Sequence, residues 1–186
     1  MKFTELKVGQ KILFSGIIYT ARDQAHKRLV EAIKKGKKLP IDLKGAIIYY
    51  CAPTKTPKGK IISTSTALSA DGKQIRTIGS CGPTTSSRMD KFSLDLLKAG
   101  VKAMIGKGRR SEQIRKAIKK YKAVYFLTYA GCGALLSKYV KKMELIAYQD
   151  LGQEAIYKLE VKDFPLIVGI DAKGRSIYDK KRWTAF

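Results

Sequence analysis

The sequence predicts an α/β fold, one domain mixing an antiparallel β layer with βαβ units, and three observations carry that prediction. The first third alternates strand-length apolar runs with turn signals. From Thr84 to Tyr148, helix-period and strand-period segments alternate. The 186 residues, 45 % of them hydrophobic, suffice for one core, since a domain takes roughly 150 residues. No internal repeat is visible.

Each element has its local reason. Lys11 to Tyr19 (KILFSGIIY) is apolar and β-branched and reads as a strand, with Ser15-Gly16 marking a bulge. Thr20-Ala-Arg-Asp23 opens a helix, with Thr20 as its N-cap and Ala25, Leu29, Ala32 and Ile33 as its inner face. Gly36 ends it. Ala46 to Cys51 is a second buried strand, Pro57-Lys-Gly59 a turn, and Ile61 to Thr66 a strand. Asp71-Gly72 signals a hairpin into Gln74 to Ile78. The loop from Gly79 runs into a helix whose apolar face is Met89, Phe92, Leu96 and Leu97, and Gly100 closes it. Val101 to Ile105 is a strand, Gly106-Lys-Gly108 a loop, and a basic helix starts at Ser111. Ala123 to Leu127 is a buried strand, and Gly131-Cys-Gly133 opens a helix to about Tyr139. Glu144 to Tyr148 reads as a strand and Asp150 to Lys158 as a short helix. Leu159 to Val161 and Leu166 to Ile170 are strands interrupted around Pro165, and Asp171-Ala-Lys-Gly174 turns into Arg175 to Tyr178.

Lys plus Arg is 38 against 15 Asp plus Glu, a net charge of +23. Such a balance attracts anions, nucleic acid among them. Most of it has a plainer place. In the helix from Ser111, Ile114, Ala117, Ile118 and Tyr121 form one buried stripe, and Arg115, Lys116, Lys119 and Lys120 cover the solvent side. Lys34 to Lys38 and Lys138 to Lys142 fall at expected helix C-termini, where cations suit the dipole. With no zinc-finger spacing, aromatic RNA-binding motif or basic heptad region, a nucleic-acid-binding protein is the rival from another class and not the preferred reading. An acidic partner subunit or small anionic substrates explain the charge equally well. The N-terminus has no apolar signal-peptide core and no run approaches a membrane span, so a cytoplasmic protein is expected. Cys51, Cys81 and Cys132 are too few for a disulfide framework. Spaced by 30 and 51 residues, they also lack the short pair that clusters usually draw on, so no metal site is expected in this chain.

Three loops are suited to anions, and all follow strands, whose carboxyl ends are where α/β sheets bind ligands. One is Thr20 to His26, with Arg22 at the first helical turn. The second is Gly82-Pro-Thr-Thr-Ser-Ser-Arg88, where Thr84 and Arg88, four apart, can face one side of a helical turn. The third is Gly106-Lys107-Gly108. Arg grips a carboxylate at two points and Lys supplies a point charge, so the set suits a small dicarboxylate; a phosphate also fits. Read one at a time, Arg22 is an exposed helix residue, Thr20 and Thr84 are caps, and the glycines turn the chain. His26, the sole histidine, has no nucleophile placed beside it by motif.

Four stretches together resemble a known family. They are Ser15 to Arg28 (SGIIYTARDQAHKR), Gly82 to Asp90 (GPTTSSRMD), Ile105 to Gly108 (IGKG) and Ala147 to Pro165. They are similar to the β subunit of the two-subunit, iron–sulfur class I fumarases and L(+)-tartrate dehydratases, over nearly the whole chain. The resemblance implies a swivelling β/β/α domain spanning residues 1–186, with mixed sheets and helices packed on one side. It implies half of a hydro-lyase that reversibly hydrates fumarate to malate. L(+)-tartrate dehydratase and methylfumarate hydratase are the alternatives on the same scaffold. The other half, a partner α subunit, would carry a [4Fe-4S] cluster, and the assembly could be a higher oligomer such as α2β2. By the same resemblance, Arg22, Arg88 and Lys107 would bind substrate carboxylate and Thr84 would remove the proton beside it. His26, Asp23 and Thr85 would support the site. The sequence departs modestly at Cys51-Ala-Pro53, where a Gly before Pro is expected, and at Gly131-Cys-Gly133.

Overall fold

The computed structural model describes residues 2–55 and 78–179. Strand β1 (Lys11–Thr20) leads into helix α1 (Asp23–Lys34), then β2 (Ile47–Tyr49) and β3 (Thr54–Lys55). Next come β4 (Ile78–Ser80), a 3-10 turn (Ser86–Met89) that continues into α2 (Asp90–Lys98), β5 (Ala103–Gly106) and α3 (Glu112–Tyr121). The chain ends with β6 (Val124–Leu127), the short α4 (Gly133–Ser137), β7 (Val140–Ala147), a 3-10 segment (Gln149–Glu154) and β8 (Ile156–Ile170). The Pro57 turn and, apart from Ile78, the hairpin expected after it lie outside the described residues.

The fold is α/β. Strands β1, β2, β5 and β6 run parallel, in that order. The long β8 runs antiparallel to β6 on one side and to β1 on the other, which closes a ring. Strand β7 hangs on the first half of β8, and β3 with β4 forms a separate two-stranded sheet. Strand alternation divides the core in two. Ile18, Tyr49, Ile105, Phe126 and Val168 cluster inside the ring. Ile48, Tyr50, Met104, Tyr125 and Ile170 face outward, against Leu29, Leu97 and Ile118 of the helices. Each such side chain contributes about 1.5–3 kcal/mol on burial, so this alternation fixes the register.

Helices α1, α2 and α3 pack on that one outer face, as expected. Helix α4 does not: it lies against β4, and Leu136 joins the interior cluster. The bulge at Ser15-Gly16 is present, a register shift between Phe14 and Gly16 opposite Val161 to Phe164. Gly16 takes φ +149 there, where an added Cβ would meet the Phe14 ring at 2.9 Å.

Several local expectations are corrected. Thr20 is not an N-cap. It ends β1, fully buried, where its hydroxyl donates to the Ala155 carbonyl (3.3 Å) and accepts from the Tyr157 N–H (3.0 Å). The N-cap of α1 is Arg22, without a side-chain cap. Pro165 does not interrupt β8. It lies between the part of β8 that pairs with β7 and the part that pairs with β6, where no strand on that side needs its missing N–H. Its carbonyl accepts from the Thr128 hydroxyl at 2.8 Å. The expected helix from Asp150 is a 3-10 segment broken at Gly152, whose φ is +57, and β8 starts at Ile156. Lys141 and Lys142 lie in β7 and not at a helix end. Arg175 to Tyr178 forms no strand, only a bridge between Ser176 and Ile170.

Candidate functional site

The four parallel strands present their carboxyl ends at one edge of the ring, where ligands bind in sheets of this kind. The exit of β1 is tied to that of β2 by the Ala21 N–H, which donates to the Tyr49 carbonyl at 3.0 Å. The segment from Pro83 to Arg88 is stitched across the next two exits. Pro83 bridges Cys51, and the Thr84 N–H donates to the Tyr50 carbonyl at 2.7 Å. Thr85 bridges Lys107, and the Ser86 N–H donates to the Lys107 carbonyl at 3.0 Å. The three candidate loops are therefore neighbours on one edge, although their residues are up to 88 positions apart in the chain.

Arg22 and Arg88 meet at one carboxylate oxygen. Asp23 Oδ2 accepts from Arg88 Nη2 at 2.5 Å and lies 3.7 Å from Arg22 Nη2. Burial would lift the Asp23 carboxyl, but the hydrogen bond from Arg88 and the charges of both arginines hold it below the usual carboxylate range. Arg22 also faces Glu154 at 3.6 Å, and Glu154 anchors the start of α1 by accepting from the Gln24 N–H at 3.1 Å. Arg88 is 47 % exposed, so its pair with Asp23 is worth little to stability. Thr85 is exposed and Thr84 half-buried, and among the described residues the Thr84 hydroxyl has no partner. Lys107 is half-buried, and its ammonium makes no ion pair among them. The geometry corrects one expectation. Thr84 and Arg88 do not share a helical turn, because Thr84 lies between the bridges at Pro83 and Thr85, ahead of the 3-10 turn that starts at Ser86 and of α2, which starts at Asp90.

His26 lies fully buried beneath Arg22. Its Nδ1 donates to the Arg22 carbonyl at 2.9 Å, and its backbone N–H donates to the same oxygen at 2.8 Å. That assigns the proton to Nδ1 and leaves Nε2 buried without a partner. Burial lowers its pKa to about 4, against a smaller upward pull from the Arg22 carbonyl. At neutral pH the ring is uncharged and fixes the turn that carries Arg22.

Beneath the second and third loops lies a polar network that sequence reading missed. Arg110 has no exposed side-chain surface. Its Nε donates to Asp90 (2.6 Å), Nη2 to Ser93 (2.7 Å) and Nη1 to the Tyr50 hydroxyl (3.3 Å). The guanidinium lies over the rings of both Tyr50 and Tyr125. Burial opposes its charge, but Tyr50, Asp90 and Tyr125 outweigh that and hold its pKa above the ordinary value. Tyr125 reaches Ser86 Oγ at 2.8 Å and the Gly108 carbonyl at 2.9 Å. In the sequence, Arg109-Arg110 before a helix looks like more surface charge. The one legible signal is Asp90, an acid at another helix start that turns out to cap Ser111 as well, at 2.7 Å.

The cysteines do not fit a cluster. Burial pushes the Cys81 thiol up to about 12 and raises Cys51 as well. Cys132 lies in the loop before α4. Among the described residues no group of three His, Cys, Asp or Glu side chains could hold a metal ion. Nor is any helix among them long and apolar enough to cross a membrane.

A closed mixed ring that carries Arg22, Arg88 and Lys107 at its parallel-strand exits defines an α/β protein. The particular family follows from comparison. Residues 1–181 match the family described as Fumarase C-terminus, and the chain belongs to that family. It is 38 % identical over 180 residues to a Methanocaldococcus jannaschii protein provisionally named L(+)-tartrate dehydratase subunit beta, covering 95 % of this chain and 85 % of that one. It is 36 % identical over 182 residues to the anaerobic class I fumarate hydratase of Escherichia coli, covering 96 % of this chain and 30 % of the relative. Fumarate hydratase 2 of Leishmania major is 35 % identical over 182 residues, with 96 % and 29 % covered. The chain thus spans less than a third of these fumarate hydratases and most of the archaeal subunit.

Proposed function

We propose that this chain is the β subunit of a hydro-lyase that reversibly hydrates fumarate to malate, in a site shared with a second chain. The observation that carries the reading is the edge itself. Two guanidinium groups share one carboxylate oxygen, and a lysine without an ion pair among the described residues lies on the next loop. Thr84 lies on the segment stitched across the strand exits between them. Asp23 already sets one carboxylate oxygen against both guanidinium groups, which supports the reading that carboxylates are held at this edge. A dicarboxylate substrate would bring two.

The chemistry follows from charge. Removing a proton from the carbon next to a carboxylate sends the C–H electron pair into that carboxylate and builds a second negative charge there. Arg22, Arg88 and Lys107 are the groups that stabilise it, already in place before the reaction. In this reading the Thr84 oxygen takes the proton, and the nearby cations make its alkoxide accessible. In the hydration direction the same hydroxyl returns it. His26 holds the Arg22 turn, Asp23 aligns the two guanidinium groups, and Thr85 sets the spacing to Lys107.

The rim is open to water at Arg88 and Thr85, which weakens every one of these interactions. A second chain closing over the edge would strengthen them. We assign to that partner α subunit the [4Fe-4S] cluster that the cysteines of this chain do not suit, and place the assembly, such as α2β2, in the cytoplasm. One observation favours a second reading, L(+)-tartrate as substrate: the relative that this chain covers to 85 % is named for it.

The test is to co-produce this chain with its partner chain under anaerobic conditions and to follow the ultraviolet absorbance of the fumarate double bond. The expected result is fumarate turnover by the pair and none by either chain alone. Dehydration of L(+)-tartrate without fumarate turnover establishes the second reading. A well-formed pair that acts on neither defeats both.

A further inference from the structure

We infer that Ser86 is a positioning residue that sets Lys107 against the substrate, with Tyr125 and Arg110 as its support. The inference rests on the proposed role of Lys107.

Ser86 holds Lys107 from both flanks. The Ser86 N–H donates to the Lys107 carbonyl at 3.0 Å, and the Lys107 N–H donates to Ser86 Oγ at 3.1 Å. The Tyr125 hydroxyl donates toward both Ser86 Oγ, 2.8 Å away, and the Gly108 carbonyl, 2.9 Å away. Ser86 Oγ thus accepts from the Lys107 N–H and from Tyr125, using both of its lone pairs. The contacts from Lys107 N–H to Ser86 to Tyr125 to the Gly108 carbonyl close a loop around the Gly-Lys-Gly turn. Ser86 is fully buried and Tyr125 lies under the Arg110 guanidinium, so neither has room to turn away. Gly106 completes the fit, since an added Cβ there would lie 2.0 Å from Ser86 Oγ. Ser86 does not itself reach the open rim, so its effect passes through Lys107.

The test uses the assembled two-chain enzyme for kinetics and this chain for amide exchange. Ser86→Ala is expected to lower kcat/KM about 10–100-fold, the cost of a displacement on the order of 1 Å, with part of the loss in KM. Fractional unfolding would scale kcat alone. The Lys107 amide is expected to exchange at least about tenfold faster, as its acceptor is gone. A kcat/KM within twofold of the parent, or an unchanged Lys107 amide, overturns the inference. If Ser86→Ala does not fold, Tyr125→Phe decides, because it keeps the ring under Arg110 and removes only the oxygen. It is expected to lower kcat/KM about threefold or more and to speed Lys107 exchange, and either readout unchanged overturns the inference. Lys107→Ala separates the two levels. If that variant keeps full activity, the proposed role of Lys107 fails. If it loses activity while Ser86→Ala does not, only the positioning inference fails.

Discussion

Replacing Arg110 by methionine removes a guanidinium that has no solvent contact, and its consequences can be worked from the partners it leaves behind. Asp90 loses its 2.6 Å partner and, among the described residues, keeps only the Ser111 N–H at 2.7 Å. Ser93 and the Tyr50 hydroxyl lose their donors at 2.7 and 3.3 Å. Methionine fills most of the volume between the Tyr50 and Tyr125 rings, so the cost is electrostatic more than steric. Stripping one member from a buried ion pair costs about 3–5 kcal/mol. Asp90 is 15 % exposed and retains one donor, which places the expected loss at the lower end, about 3 kcal/mol. For a chain of this length that is a fall in Tm of about 6–12 °C. Urea unfolding of parent and variant measures it directly. Adding Asp90→Asn to Arg110→Met should recover about 1 kcal/mol, because the orphaned charge is the main source of the cost. A loss below about 1 kcal/mol for Arg110→Met would refute the claim that this network braces the site from below.

Two further predictions concern neighbouring groups. His26 titrates near pH 4 when folded, against an ordinary value of 6.5, so between those values the unfolded chain holds the extra proton. Stability should therefore be unaffected by this group above about pH 6.5 and fall as pH drops toward 4, by about 3 kcal/mol in full. Unfolding free energies measured against pH should show that slope in the parent and lose it in His26→Gln; parallel profiles would show that His26 is not held neutral. Gly106→Ala should cost about 1–3 kcal/mol, since its Cβ would lie 2.0 Å from Ser86 Oγ and 2.9 Å from the Tyr50 ring, both buried. Gly108→Ala meets nothing within 4 Å and should cost only about 1 kcal/mol, from its φ of +82. Thermal unfolding compares the two, and equal costs would mean that the close approach at Gly106 is relieved cheaply.

The elements that were legible in the sequence are those whose pattern is local. The stripe Ile114, Ala117, Ile118 and Tyr121 gave α3, the β-branched run from Lys11 gave β1 with its bulge, and AIIYYC gave β2. What was not legible depends on partners far away in the chain. Thr20 looks like a cap until its hydroxyl is seen to be claimed by Ala155 and Tyr157, 135 and 137 residues on. Pro165 looks like a break until β8 is seen to change neighbours around it. At the site, Arg22, Thr84, Arg88 and Lys107 stood out because they lie on loops after strands, and the family resemblance added His26, Asp23 and Thr85 as supporting residues. Arg110, Ser86, Tyr50 and Tyr125 did not, because a buried arginine in a chain of net charge +23 carries no mark in composition or spacing. Nor does any local pattern show that one carboxylate, Asp23, would serve two arginines.

The most direct measurement is the KM for fumarate of the assembled two-chain enzyme with Arg22, Arg88 and Lys107 each changed to alanine, beside Lys35→Ala as an exposed-charge control. A charge-assisted hydrogen bond to a substrate carboxylate is worth about 1.5–3 kcal/mol. Each of the three variants should therefore lose at least about tenfold in kcat/KM, with a raised KM, while Lys35→Ala stays at the parental value. If all three rim variants match the control, the cationic edge is not where the dianion binds.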